Sequence, residues 1–188
     1  KIIKNVDEIS CIEEASNGIE ALEKIKKGSY DLVILDISMP GMSGLEILQS
    51  LNKKITKTHF LVLSMHPQAQ YAIRAFKAGA SGYLSKESVY DELITAIKKV
   101  SEGGKYISSD LAEKVIFDKD GMSKTPHEKL SDREFQTMCM LAKGISVKDI
   151  AEKLFLSDKT ISTYRARILE KMELKTNAEL SLYAIRNN

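Results

Sequence analysis

The sequence predicts two domains of different class on one chain: an α/β domain with a parallel sheet, then an all-α domain of four short helices. Three observations predict this. Between residues 19 and 103 short apolar runs alternate with stretches of helical period, the pattern of βαβ units. From Leu130 onward the apolar period is helical throughout. Between the two lies a polar stretch, residues 118–128, with Gly121, Pro126 and no apolar period, which reads as a linker. A chain of 188 residues, 43% hydrophobic and 29% charged, is long for one domain and holds enough apolar surface for two small cores.

Each element has its own signal. Residues 1–6 read as the end of an amphipathic helix, and residues 11–15 as a short strand. After the Asn17-Gly18 turn signal, Ile19, Leu22 and Ile25 recur at helical spacing, with Ala21 beside them and Gly28 as the stop. Residues 31–37 form a short apolar run that carries Asp36 to its end, where Pro40 and Gly41 stop the strand. A helix follows with Leu45, Leu48 and Leu51 as its stripe, then a strand over 59–64 that ends in Ser64. A helix over 68–78 is closed by Gly79. A brief strand, 81–86, ends in Lys86, and a helix over 88–101 buries Leu93, Ile97 and Val100. Residues 104–128 form the linker, with one short helix through Phe117 capped near Ser108 or Ser109. In the second domain Ser131 and Glu134 make a capping box ahead of Phe135, Met138 and Leu141. Residues 146–154 form a second helix, a third runs from Ser157 or Asp158 to about Glu173, and a fourth over 178–186. The tight turn between the second and third fits a helix-turn-helix unit.

Composition narrows the function classes. No run of eighteen apolar residues spans a membrane, and the start carries no signal-peptide pattern. Cys11 and Cys139 are too far apart in sequence to suggest a disulfide framework or a metal cluster. Both fall in apolar-periodic stretches, which predicts buried thiols in a reducing, cytoplasmic setting. Residues 1–126 carry 17 basic and 17 acidic side chains, whereas residues 127–188 carry 11 and 9. Within 159–175 five basic residues stand against two acidic, a local sign of a polyanionic partner or of a solvated helix face.

In a parallel sheet the C-terminal strand ends gather at one edge, where open α/β folds place their chemistry. Here that edge collects an acid, a hydroxyl and an amine from three strands: Asp36, Ser64 and Lys86. A strand-end Asp can simply cap a turn. No His occupies these positions, so a hydrolase triad is not available. A carboxylate nucleophile that accepts a phosphoryl group matches better, with Lys86 pairing the added charge and Ser64 bonding one of its oxygens. Such chemistry calls for Mg²⁺, which favours more than one carboxylate.

The residues from Leu35 to Gly44, the pair Leu63-Ser64, the run Gly79 to Leu84, and Lys86 resemble the receiver domain of bacterial two-component response regulators, over residues 1–103. The resemblance implies a flavodoxin-like sheet of order 2-1-3-4-5, phosphorylation of Asp36 by a histidine kinase, and Mg²⁺ held by Asp36 and the backbone carbonyl of Ser38. It implies that Ser64 and Tyr83 form a switch pair and that Lys86 is the salt-bridging lysine. The family places an acidic pair at the end of the first strand, further upstream of the phosphoacceptor than the 35 residues present here. Glu13-Glu14 is not that pair, because the segment around it fits the second strand. The expectation is therefore that the first strand, most of the first helix and the remaining acidic metal ligands are missing from this chain.

The third helix of the second domain can be read by angle. With Ile161 at zero, Ile168 and Met172 fall within about 20° of it at 100° per residue, and they make the core stripe. Lys159, Thr163 and Ala166 cluster opposite, flanked by Ser162 and Arg167. Small polar residues, one Ala and basic ends suit a major groove. Lys159 and Arg167 would hold phosphates or read guanine, Ser162 and Thr163 would lie near base edges, and Ala166 could meet a thymine methyl. Arg165, nearer the core side, would reach a phosphate. Leu130 to Glu134, Leu141 to Gly144, Asp149 to Leu154 and Ser157 to Ser162 resemble the LuxR-type helix-turn-helix, over residues 129–188. Thr160 falls within the matching run and joins the DNA-binding set. Receiver, linker and LuxR-type domain in that order is the arrangement of the NarL/FixJ class, which implies a homodimer on inverted half-sites. The fourth helix would carry the dimer contact, with Leu180, Tyr183 and Ala184 as candidates that could equally be core.

Together these features predict a phosphorylation-switched, DNA-binding transcription regulator rather than an enzyme. The alternatives are a phosphorylation-independent DNA-binding regulator with the receiver as its dimerisation module, and a phosphatase using Asp36 as nucleophile. The last lacks a general acid beside Asp36, since Ile37 and Ser38 offer none.

Overall fold

The computed structural model describes residues 9–51, 57–65, 69–88, 90–118 and 125–186, and the chain forms two compact units, Lys1–Lys119 and Asp120–Asn188. In the first, α1 (Gly18–Lys27) precedes β1 (Leu32–Asp36), α2 (Gly44–Leu51), β2 (His59–Ser64), α3 (Ala69–Lys77), β3 (Gly82–Ser85), α4 (Tyr90–Ser101), β4 (Tyr106–Ile107) and α5 (Ser109–Asp118). All pairings are parallel, in the order β1-β2-β3-β4. Parallel strands need helical crossovers that cover both faces of the sheet, which is why β2 and β3 read as nearly continuous apolar runs. Leu35, Val62 and Tyr83 pair across the register on one face and are buried. On the other, Leu61 and Leu84 pack with Ala96, Ile97 and Val100 of α4. Gly82 allows that approach: a Cβ there would lie 2.8 Å from Leu61 and 2.9 Å from Val100.

The α/β class and the parallel sheet are as expected, and β1-β2-β3 reproduce the 3-4-5 part of the order. Four details differ. Residues 11–15 form no strand: no ladder partner meets them among the described residues, and side chains hold the segment instead. Lys24 donates to the carbonyl of Glu14 at 2.6 Å, and Tyr30 donates to Glu13 at 2.9 Å. Cys11, expected to be buried, is therefore exposed, and neither Cys11 nor Cys139 is in a disulfide. In α1 the inward side belongs to Ala21 and Ile25, and Ile19 is 57% exposed. Steps of three residues drift by about 60° each, so Ile19 and Ile25 lie about 120° apart. Finally, the expected linker begins too early. Tyr106 and Ile107 add a strand to β3, and α5 packs on α3, so residues 104–118 belong to the first unit. Residues 119–124, the rest of the expected linker up to Thr125, lie outside the described residues.

The second unit opens with a 3-10 turn, Pro126–Lys129, followed by α6 (Asp132–Ala142), α7 (Val147–Leu154), α8 (Asp158–Lys171) and α9 (Asn177–Arg186). Each of the first three helices starts on a serine whose side chain accepts an amide of its first turn: Ser131 from Glu134, Ser146 from Asp149 and Ser157 from Thr160. The capping box of Ser131 and Glu134 is formed. α6 is the central helix, in contact with α7, α8 and α9, and it buries polar residues as well as its apolar stripe. Glu134, 2% exposed, is met by Lys171 at 2.6 Å and by the Ser131 amide at 2.8 Å. Burial pushes its carboxyl up, but the bonds from Lys171 and Ser131 outweigh that and hold it below the usual carboxylate range. Phe155, at φ 56°, makes the left-handed turn between α7 and α8. Among the described residues no helix is long and apolar enough to cross a membrane.

Candidate functional site

At the sheet edge, the structure brings the predicted residues together in pairs. Asp36 closes β1, and its two carboxylate oxygens are already engaged. Oδ1 accepts from the amide of Ser38 at 2.9 Å, and Oδ2 forms an ion pair with Lys86, which follows β3. The Lys86 amide in turn donates to the carbonyl of Ser64 at 2.8 Å, so the lysine is carried on the end of β2 as well as β3. On β2 and β3, Ser64 and Tyr83 are buried and their side chains share a hydrogen bond. Burial pushes the Tyr83 phenol well above its ordinary range, and the bond to Ser64 opposes that only in part. Tyr83 is thus a neutral, buried hydroxyl at any physiological pH.

The loop after Asp36 is fixed by backbone packing. A Cβ on Gly44 would lie 2.4 Å from the Asp36 carbonyl oxygen, so only glycine lets α2 start this close. Ser43 and Glu46 cap α2 reciprocally, with Glu46 accepting from the Ser43 amide at 2.8 Å. The Pro40 carbonyl accepts from Gly18 at the start of α1, at 3.0 Å. Among the described residues no group of three or more His, Cys, Asp or Glu could hold a metal ion. Asp36 and the carbonyl of Ser38 alone do not complete a Mg²⁺ shell, which takes six oxygens.

On α8 the angular reading holds. Ile161, Ile168 and Met172 are buried, and Lys159, Ser162, Thr163, Arg165, Ala166 and Arg167 are exposed. Thr160 is half-buried and shares a hydrogen bond with Ser157 across the cap, so it serves the helix start. The Thr163 hydroxyl donates to the Lys159 carbonyl at 2.9 Å, leaving its methyl and lone pairs outward. Lys159, Arg165 and Arg167 form no ion pair among the described residues, so their charge is available to an anion.

On α9 the structure corrects one residue choice. Leu180 is 0% exposed and belongs to the core, so it makes no contact with a second copy. Tyr183 is half-buried, with its hydroxyl bonded to Nδ1 of His127 at 2.8 Å, and Ala184 is half-buried beside it. The exposed apolar residues are Leu182 (48%) and Ile185 (73%), with Ala178 on the same side. His127 itself went unread in the sequence: it sits in a polar stretch without apolar period, yet it is buried against Phe135 and Tyr183.

Comparison with known proteins decides the family. Residues 1–98 match the response regulator receiver domain, and residues 128–184 match the bacterial regulatory proteins of the luxR family. The chain belongs to the response regulators. It is 35% identical over 189 aligned positions to Response regulator UvrY of Escherichia coli, covering 100% of this chain and 87% of that protein. It is 34% identical to the Oxygen regulatory protein NreC of Staphylococcus epidermidis, over 98% of this chain and 89% of that one. Among solved structures, a LuxR-family two-component response regulator from Aurantimonas aligns with TM-score 0.54 and 30% identity. That alignment covers 58% of this chain and 78% of the other. Like its family, this response regulator is a phosphorylatable, DNA-binding transcription regulator.

Proposed function

We propose that Asp36 is the phosphoacceptor of this response regulator and that α8 is the helix it presents to DNA. The observation that carries the first part is the Asp36–Lys86 ion pair at the strand ends, its lysine bonded through its amide to the carbonyl of buried Ser64. A histidine kinase partner would bring a phosphohistidine to the sheet edge. One Asp36 carboxylate oxygen attacks phosphorus, the phosphorus–nitrogen bond breaks, and its electron pair leaves with the imidazole. The product is an acyl phosphate with more negative charge and more acceptor oxygens than the carboxylate. Lys86 follows that charge, and Ser64, one strand over, can turn its hydroxyl to a phosphoryl oxygen. Tyr83 then loses its bond to Ser64, and this change is what the rest of the unit can sense. Receiver domains bind Mg²⁺ at this place, where it would offset phosphoryl charge. Asp36 and the Ser38 carbonyl would contribute to its shell, and no step here is derived through the ion.

For the second part, the exposed basic face of α8 behind a turn of the helix-turn-helix kind supports docking in a major groove. A homodimer on inverted half-sites would pair through α9 by Ala178, Leu182 and Ile185, with Tyr183 and Ala184 at the margin. We read the chain as a regulator, because the two families it matches are a response regulator receiver domain and the luxR-type bacterial regulatory proteins. Intact-mass measurement after incubation with acetyl phosphate and Mg²⁺ tests the assignment. The parent should gain one phosphoryl group and Asp36→Asn none. Equal uptake by both would remove Asp36 from the role.

A further inference from the structure

Arg165 stands on α8 between the buried stripe and the exposed face, where a long side chain would ordinarily sample many rotamers. Here it does not hang free. Its Nε–H donates to Oδ1 of Asn177 at 2.7 Å. Asn177 is the first residue of α9 and is half-buried. The start of α9 is capped by other groups: the Thr176 hydroxyl accepts from the Glu179 amide at 3.2 Å, and the Glu179 carboxylate accepts from the Lys175 amide at 2.7 Å. The Asn177 carboxamide is therefore not spent on its own helix.

The guanidinium is a rigid planar fork with five N–H donors. Fixing Nε fixes the plane, and the two terminal nitrogens then project from the far end. Among the described residues those nitrogens have no hydrogen-bond or ion-pair partner, and Arg165 is exposed. A pre-aimed pair of N–H groups on a cation suits the oxygens of a backbone phosphate. We propose that Asn177 is a positioning residue for DNA binding, holding Arg165 through Nε so that its terminal nitrogens meet a phosphate of the duplex. This rests on the reading of α8 as the DNA-facing helix. Because Asn177 belongs to α9, the helix with the exposed apolar side, the grip on the phosphate is tied to the packing of that helix.

A phosphate contact carries no sequence information, so its loss weakens binding on any duplex. The test uses the full chain and a mixed-sequence duplex of about 30 base pairs, followed by fluorescence anisotropy between about 50 and 200 mM KCl. Arg165→Ala should weaken binding about tenfold and lower the salt slope by about one. Asn177→Ala should weaken it about fivefold in the parent and change nothing in the Arg165→Ala background. Asn177→Gln, with the amide one methylene further out, should behave as Ala. An equal loss from Asn177→Ala in both backgrounds, or no loss in the parent, overturns the proposal. If Lys159→Ala and Arg167→Ala weaken binding while Asn177→Ala does not, only this inference falls. If all of them bind like the parent, the assignment of α8 falls with it.

Discussion

The two units hold their candidate functional residues by opposite means. In the first, Asp36, Ser64 and Lys86 come from the ends of three strands, and the parallel register brings them together. No one segment contains the site, so its geometry depends on backbone packing some distance from the carboxylate. In the second, every groove-facing candidate stands on one segment, α8, whose start is capped by Ser157. The first site should therefore be sensitive to packing changes that touch no functional side chain. The second should tolerate them until the helix itself is released.

Substitutions in each unit test this contrast. The largest expected effect is at α9. Leu180→Ala removes a fully buried side chain and should destabilise the second unit by about 3 kcal/mol in thermal unfolding, weakening DNA binding through lost folding. Next comes Gly44→Ala, which forces a methyl against the Asp36 carbonyl. It should cost the first unit about 2 kcal/mol and slow phosphoryl uptake from acetyl phosphate, though no functional side chain has changed. Glu134→Gln removes the charge that Lys171 meets, and because Lys171 is partly exposed the expected cost is about 1 kcal/mol. That cost has a pH signature. The folded-state carboxyl is held below its usual range, so the parent's advantage is full above the ordinary carboxylate range and disappears as the pH falls through the depressed value. Melting curves of both proteins at neutral and acid pH check this. The smallest effect on stability belongs to Ile185→Asp, at most about 0.5 kcal/mol, yet it should reduce cooperative binding to a duplex with two half-sites. Unchanged cooperativity would move the dimer contact off this side of α9.

The same contrast explains what could be read from the sequence. The strands around Asp36 and Ser64 are short apolar runs with clear stops, and the strand-end residues follow from the fold class. The stripe of Ile161, Ile168 and Met172 follows from angle alone, as does the Ser131–Glu134 cap from spacing. The misses have physical reasons. β4 is two residues long and leaves no period to detect. Residues 109–118 form a helix by local signal, but its docking on α3 is a long-range contact that no local signal encodes. In α9, Leu180, Leu182, Tyr183, Ala184 and Ile185 are apolar nearly all round the helix, so periodicity could not tell the core side from the outer one. His127 is held by Tyr183, 56 residues on, and nothing in its polar neighbourhood announces that bond.

If Asp36 is the phosphoacceptor and α8 the DNA-facing helix, phosphorylation in one unit should change the hold of the other on DNA. Gel-shift titration of the full chain on a half-site pair selected with the parent protein, with and without acetyl phosphate, reads this coupling. The parent should change its affinity on phosphorylation, and Asp36→Asn should bind alike under both conditions. A parent indifferent to acetyl phosphate, or an Asp36→Asn variant that responds as the parent does, would contradict it.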